Sequence, residues 1–236
     1  MKKTALLLLL TLLLIFTCSC SYTRTLKFNS IGLEINKLKS EELKIDIYSI
    51  KAYTVNIINE ELYVEKYNGE PNSKLIAVDI GYYVGVNVGE FGGWVVYCPH
   101  NKDFESNGVI VVEENFQGFI QVDNIKVLLL TGLAHLGTDK GKLYMLEKGN
   151  ATELYDFGSM PQTFVWSEET LYVFTLDKLY SYKPGETPFV LMENNTYYNM
   201  CIKSAVKLGN SIYCGGKGGI YEYCLDTGME YWYPIK

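Results

Sequence analysis

The chain is predicted to be all-β, assembled from repeated four-stranded antiparallel units. Three observations predict it. Tyrosine occurs 20 times and phenylalanine 10 times, against 6 prolines in 236 residues, and such a composition favours half-buried pleated surfaces. Short apolar runs alternate with polar residues and are punctuated by glycine, asparagine or paired acids. The same pattern also returns at a nearly fixed interval.

The interval is visible in four segments, each an apolar strand, a polar or glycine turn and a second strand. They are "AVDIGYYVGV" (77–86), "IQVDNIKVLLLTG" (120–132), "FVWSEETLYVFT" (164–175) and "AVKLGNSIYCGG" (205–216). Tyr82, Val127, Leu171 and Ile212 hold matching places in the second strands. They are about 41–45 residues apart, the period of a propeller blade. A third strand follows in each unit: "GGWVVY", "GKLYML", "DKLYSY" and "GGIYEY". A fourth closes it: "GVIVVEE", "TELYDF", "PFVLME" and "EYWYPIK". Four antiparallel strands per unit is blade anatomy, and units that cannot bury both faces alone must stack.

These repeats resemble those of β-propellers of the NHL, quinoprotein and two-component-regulator types. The shared feature is an apolar strand, a G-x-x-G-like turn and an Ile/Leu-Tyr strand, and it covers residues 75–236. The resemblance implies a scaffold and carries no catalytic residues. Residues 20–74 are the least regular part. "KIDIYSI", "AYTVNII" and "ELYVEKY" alternate as strands and are expected to add a fifth blade. The last repeat runs to Lys236, so an N-terminal strand is expected to help complete the ring. A β-sandwich or an open β repeat array remains the alternative fold.

The stretch "NSIYCGGKGGIYEYCLDTG" (210–228) poses the sharpest question of chemistry. A phosphate loop of the Walker type needs Ser or Thr after its lysine and a helix behind it. Here Gly218 follows Lys217, and Ile220–Cys224 alternate as a strand. The stretch therefore reads as a hairpin with a glycine-rich turn. No nucleotide is expected to bind there, and at least one of Gly215, Gly216, Gly218 and Gly219 should occupy the left-handed region.

The first residues read "MKKTALLLLLTLLLIFTCSC". Two lysines precede an apolar core of signal-peptide length, short for a membrane span of about 20 residues. This start resembles a bacterial lipoprotein leader. The resemblance implies cleavage after residue 19 and fatty acylation, including palmitate, at Cys20, which would anchor residues 20–236 to the extracytoplasmic face of the cell membrane. Ser19 suits the cleavage pocket better than the Phe16–Thr17 approach to Cys18, whereas Thr17 departs from the leucine usual there. An ordinary secretory signal and an uncleaved anchor are the alternatives.

The formal net charge is −6, and without a basic stripe no nucleic-acid partner is expected. Cys98, Cys201, Cys214 and Cys224 allow three full pairings. Cys214 and Cys224 would not lie opposite each other in the hairpin, so separate thiols are expected. The two histidines, His100 and His135, lack metal-ligand spacing, and no metal or cofactor is expected. No G-x-S-x-G elbow occurs. Carboxylates are scattered, as in Glu113-Glu114 and Glu168-Glu169, and adjacent glutamates on a strand would point to opposite faces, unlike the converging carboxyls of a glycosidase.

Loop length is the informative irregularity. Between second and third strands the last two repeats turn tightly, whereas "NVGEFGG" (87–93) and "GLAHLGTDKG" (132–141) are long. Insertions at one equivalent turn fall on one face, often the binding face. Sequential units should place these loops side by side. Glu90, Phe91, Trp94, His135, Asp139 and Lys140 are the candidate rim, mixed enough in character for a polar ligand or a partner loop. The sequence thus supports a membrane-anchored binding module for a protein, peptide or glycan. A carbohydrate-active enzyme and a structural or assembly lipoprotein are the other readings.

Overall fold

A computed structural model describes residues 38–39, 51–69, 71–193 and 200–235. The leader, Cys18, Cys20 and the "KIDIYSI" segment lie outside these residues. A two-residue strand β1 (Leu38–Lys39) comes first, followed by a hairpin of β2 (Tyr53–Ile58) and β3 (Glu61–Lys66). Three four-stranded meanders come next. They are β4 (Ser73–Val78), β5 (Gly81–Asn87), β6 (Gly93–Pro99) and β7 (Val109–Val112); β8 (Phe116–Gln121), β9 (Lys126–His135), β10 (Thr138–Glu147) and β11 (Asn150–Asp156); and β12 (Thr163–Ser167), β13 (Thr170–Phe174), β14 (Lys178–Tyr182) and β15 (Phe189–Glu193). The last sheet holds β16 (Ser204–Leu208), β17 (Ser211–Gly216), β18 (Gly219–Cys224) and β19 (Glu230–Pro234). One short helix, α1 (Phe104–Asn107), is capped by Asp103, which accepts from the Ser106 N–H.

The sheets are the blades of a propeller-like array, numbered 1 to 5 in chain order. Their cores lie between neighbours. Tyr83 and Val95 of blade 2 pack with Phe119 and Leu129 of blade 3. Leu128, Leu130 and Leu143 of blade 3 pack with Leu171 and Val173 of blade 4. Phe174 and Leu179 of blade 4 meet Ile212, Tyr221 and Trp232 of blade 5. Tyr213, Ile220 and Tyr233 of blade 5 meet Tyr53, Val55 and Leu62 of blade 1. The run "VLLL" in β9 follows directly: Val127 and Leu129 serve one interface, Leu128 and Leu130 the other. Burying each such leucine is worth about 1.5–3 kcal/mol.

The count of five sheets agrees with the repeat. The strands per sheet do not all equal four. Blade 1 has two described strands, and β1 adds a fifth to blade 5 by pairing with β19, Leu38 opposite Trp232. That pairing supplies the N-terminal strand expected beside the last repeat. The ring is not closed: among the described residues no core joins blade 1 to blade 2, and Leu75 on β4 is 58% exposed. Of the matched second-strand positions, Val127, Leu171 and Ile212 are fully buried. In blade 2 the buried ring belongs to Tyr83 instead of Tyr82.

The glycine-rich stretch is the expected hairpin, with Gly216 opposite Gly219 and Lys217-Gly218 at the turn. Gly218 has φ of +78°. Gly215 is needed for close approach: a β-carbon there would lie 2.6 Å from the Tyr53 carbonyl oxygen of blade 1. Ser211 faces Cys224 and Cys214 faces Tyr221, and all four cysteines among the described residues are free thiols.

Candidate functional site

In blades 2 to 5 the first strand contributes to the lining of a shared cavity, and the turn between second and third strands rises at the end where that first strand begins. Side chains tie these turns to the segments entering each blade. Asn115 Nδ2 donates to the Gly89 carbonyl at 2.6 Å, and Asn87 Nδ2 donates to the Phe116 carbonyl at 2.9 Å. Asp139 Oδ1 accepts from the Met160 N–H at 2.7 Å. Gln117 Nε2 donates to the Gly132 carbonyl at 2.7 Å. The long turns and the strand entrances therefore share one face.

On that face the two irregular turns adjoin. His135 Nε2 lies 2.9 Å from Glu90 Oε2, joining blade 3 to blade 2. Glu90 and Phe91 sit in a single 3-10 turn, Gly89–Phe91. The segment 132–141, expected as a loop, is instead a paired extension of β9 and β10. Gly132 faces Gly141, and pairing continues out to His135 opposite Thr138. Only Leu136 and Gly137 form its tip, both at positive φ, +45° and +83°. That is the pattern of a type I′ turn.

The predicted rim residues have separate fates. Phe91 is 82% exposed and Trp94, at the start of β6, is 40% exposed. Asp139 is committed to the Met160 amide and holds the segment entering blade 4. Lys140 sits on β10 opposite Leu133, exposed, without an ion pair among the described residues. Leu136 was not expected: it is 92% exposed at the hairpin tip. Val88 is a further exposed apolar residue beside the 3-10 turn. The rim is thus more apolar than its charged candidates imply.

Behind the rim, blade 3 carries a charged group. Lys142 Nζ lies 2.9 Å from Glu153 and 3.7 Å from Glu114, and Thr131 donates to Glu114. Its ammonium is held above the usual lysine range, first by the Glu153 hydrogen bond. Tyr144 is pushed up to about 12 by burial and by the Glu114 charge. His100, remote from this group, donates from Nε2 to the Val78 carbonyl at 2.8 Å. Among the described residues no three His, Cys, Asp or Glu side chains gather as a metal-ligand set.

On the propeller axis lies a cavity of about 410 Å³. Its walls come from first strands and the segments entering them: Lys74 of blade 2, Phe116 to Gly118 of blade 3, Gln162 to Phe164 at blade 4 and Lys203 to Ala205 at blade 5. Gly118 lets the Phe164 ring lie across it, since a β-carbon would sit 2.1 Å from Phe164 Cε1. Sequence reasoning did not find this cavity.

No family model matches the chain, and no curated protein matches it. Solved structures do. A calcium-binding protein, regucalcin from Agrobacterium tumefaciens, is 17% identical over 78% of this chain and 70% of its own, with a TM-score of 0.46. The extracellular domain of a protein described as a one-component system, BT4673 from B. thetaiotaomicron, is 17% identical over 75% of this chain, with a TM-score of 0.44. The match spans 23% of the length of that extracellular-domain chain. Virginiamycin B lyase from Staphylococcus aureus is 11% identical over 87% of this chain and 89% of its own, with a TM-score of 0.38. These are likenesses of overall form. The blade assignment rests on the sheet order and the cores between sheets.

Proposed function

We propose that the chain is an extracytoplasmic binding module, anchored to the cell membrane through Cys20, that recognises a protein or peptide through the rim of blades 2 and 3. One observation carries the reading. The Glu90–His135 contact holds two neighbouring turns together while they present Phe91 and Leu136, 82% and 92% exposed. Large apolar side chains at adjacent turn tips, flanked by polar groups, have the make-up of a partner anchor. Leu136 is kept there although its left-handed backbone costs a non-glycine residue about 1–2 kcal/mol. The described walls of the axial cavity carry lysines and no carboxylate, which favours binding over a two-carboxylate glycosidase.

The test uses the full chain on intact cells. A photo-crosslinking side chain in place of Phe91 is expected to give an adduct of defined mass. The same group in place of Phe189, exposed on β15 of blade 4, is expected to give none. Equal labelling from both sites would refute the rim. In a second arm, labelled fatty acid should enter the parent chain, and Cys20→Ala should abolish the label and release the protein. Persistent label in that variant would move acylation to Cys18 or end the anchoring proposal.

A further inference from the structure

We propose that the axial cavity binds a small organic anion, a carboxylate carried on a ring-shaped body. The inference goes beyond the rim reading, because it concerns a small molecule inside the ring and uses none of the rim side chains.

The charge of the walls carries it. Lys74 and Lys203 are the charged residues of the described lining, and neither forms an ion pair among the described residues. This occurs in a chain with 27 acidic and 21 basic side chains. Two ammonium groups without an ion pair among the described residues, on the wall of one concavity, concentrate a positive field that attracts an anion. Lys203 Nζ lies 5.1 Å from the Tyr67 ring centroid, an aromatic contact that steadies the cation without neutralising it.

Donors and flat walls complete the site. Ser204 Oγ accepts the Val55 N–H at 2.7 Å, so its own hydrogen remains to be given away. Thr163 contributes a second hydroxyl. Gln162 is already spent, donating to the Thr175 carbonyl and accepting from the Ile202 N–H. It therefore fixes the wall. Phe116 and Phe164 supply apolar walls, each ring held against a glycine: β-carbons on Gly85 and Gly118 would lie 2.2 and 2.1 Å from them. The volume, about 410 Å³, is that of a small-ligand pocket.

The experiment measures ligand-detected NMR line broadening with the full purified chain. The probes are benzoate and galacturonate, with benzamide and galactose as their neutral counterparts. At least one carboxylate should bind saturably, at one site, and its neutral counterpart should not. The two carboxylates separate an aromatic acid from a sugar acid as the preferred body. Lys74→Gln with Lys203→Gln should weaken binding about tenfold or more, as expected for losing charge-assisted contacts. Lys74→Gln alone alters an exposed side chain and should give a smaller loss in the same direction should the double variant fold poorly. Absence of binding by both carboxylates, equal binding of the neutral counterparts, or unchanged affinity in the lysine variants would overturn the proposal. None of these results bears on crosslinking at Phe91.

Discussion

Tyr233 donates its phenolic hydrogen to Glu222 Oε2 inside the last blade. The other carboxylate oxygen, Oε1, accepts from Ser211 at 2.9 Å and Tyr213 at 3.0 Å. Glu222 is only 4% exposed, so its carboxyl oxygens need hydrogen-bond donors in place of water. The network links β17, β18 and β19, and both tyrosines then pack on blade 1. It joins the polar interior of one blade to the apolar seam with the next.

Removing one donor should be costly. Tyr233→Phe keeps the ring and deletes the hydroxyl, leaving Glu222 short of a partner. A hydrogen bond to a charged group is worth about 1.5–3 kcal/mol, and a loss of that order is expected in urea unfolding. Ser211→Ala should cost less, since Tyr213 still donates to the same carboxylate oxygen, Oε1, whereas Tyr233 serves Oε2. An unchanged midpoint for Tyr233→Phe would show that the bond contributes nothing.

Alkali should unfold the protein through its tyrosines. Burial, the largest cause, pushes Tyr144 and Tyr180 up to about 12. Burial and Glu222 raise Tyr213 and Tyr233. An unfolded tyrosine loses its proton near pH 10. The folded state binds those protons more tightly, so this contribution to stability is fully present below about pH 10 and is lost as pH rises through the folded values, about 12 for the first pair. Urea midpoints should be level up to about pH 10 and fall above it. Tyrosinate absorbance should grow together with loss of the β-sheet circular dichroism signal. Full ionisation of every tyrosine near pH 10 with the sheet intact would contradict this.

Much of the fold was legible because each strand pair carries its own alternation and turn. "FVWSEETLYVFT" encodes both strands and the Glu168-Glu169 turn, whose residues have φ of +51° and +59°. The open side was not legible. The first strand of "AVDIGYYVGV" reads like those of the other repeats, yet β4 lies against no described core from blade 1. Exposure there depends on which sheets meet, which local pattern does not encode. For the site, unequal turn lengths correctly brought Glu90 and His135 together. "HLGT" hid Leu136, because leucine is not a usual residue of a two-residue turn. The axial cavity left no motif at all, since its walls are single short pieces from four blades.

The hairpin tip at Lys217-Gly218 allows the last test. Gly218 has φ of +78°, a region in which a β-carbon clashes with the neighbouring carbonyl. Its surroundings leave no freedom to turn otherwise. Its N–H donates to the Lys51 carbonyl at 3.0 Å, and its carbonyl accepts the Ile235 N–H at 2.9 Å. These bonds fasten the chain before β2 and the residue after β19 to the same residue, through the peptides on its two sides. Gly218→Val should therefore lower stability by about 1–3 kcal/mol, the cost of a residue held in a sparsely populated region. The loss should be read as a lower melting temperature with unchanged sheet content at room temperature. ATP and GTP should leave the melting temperature of the parent chain unmoved, because these glycines shape the backbone and no helix follows them. A Gly218→Val chain as stable as the parent would remove the conformational role, and a nucleotide-dependent shift in the parent would restore the phosphate-loop reading.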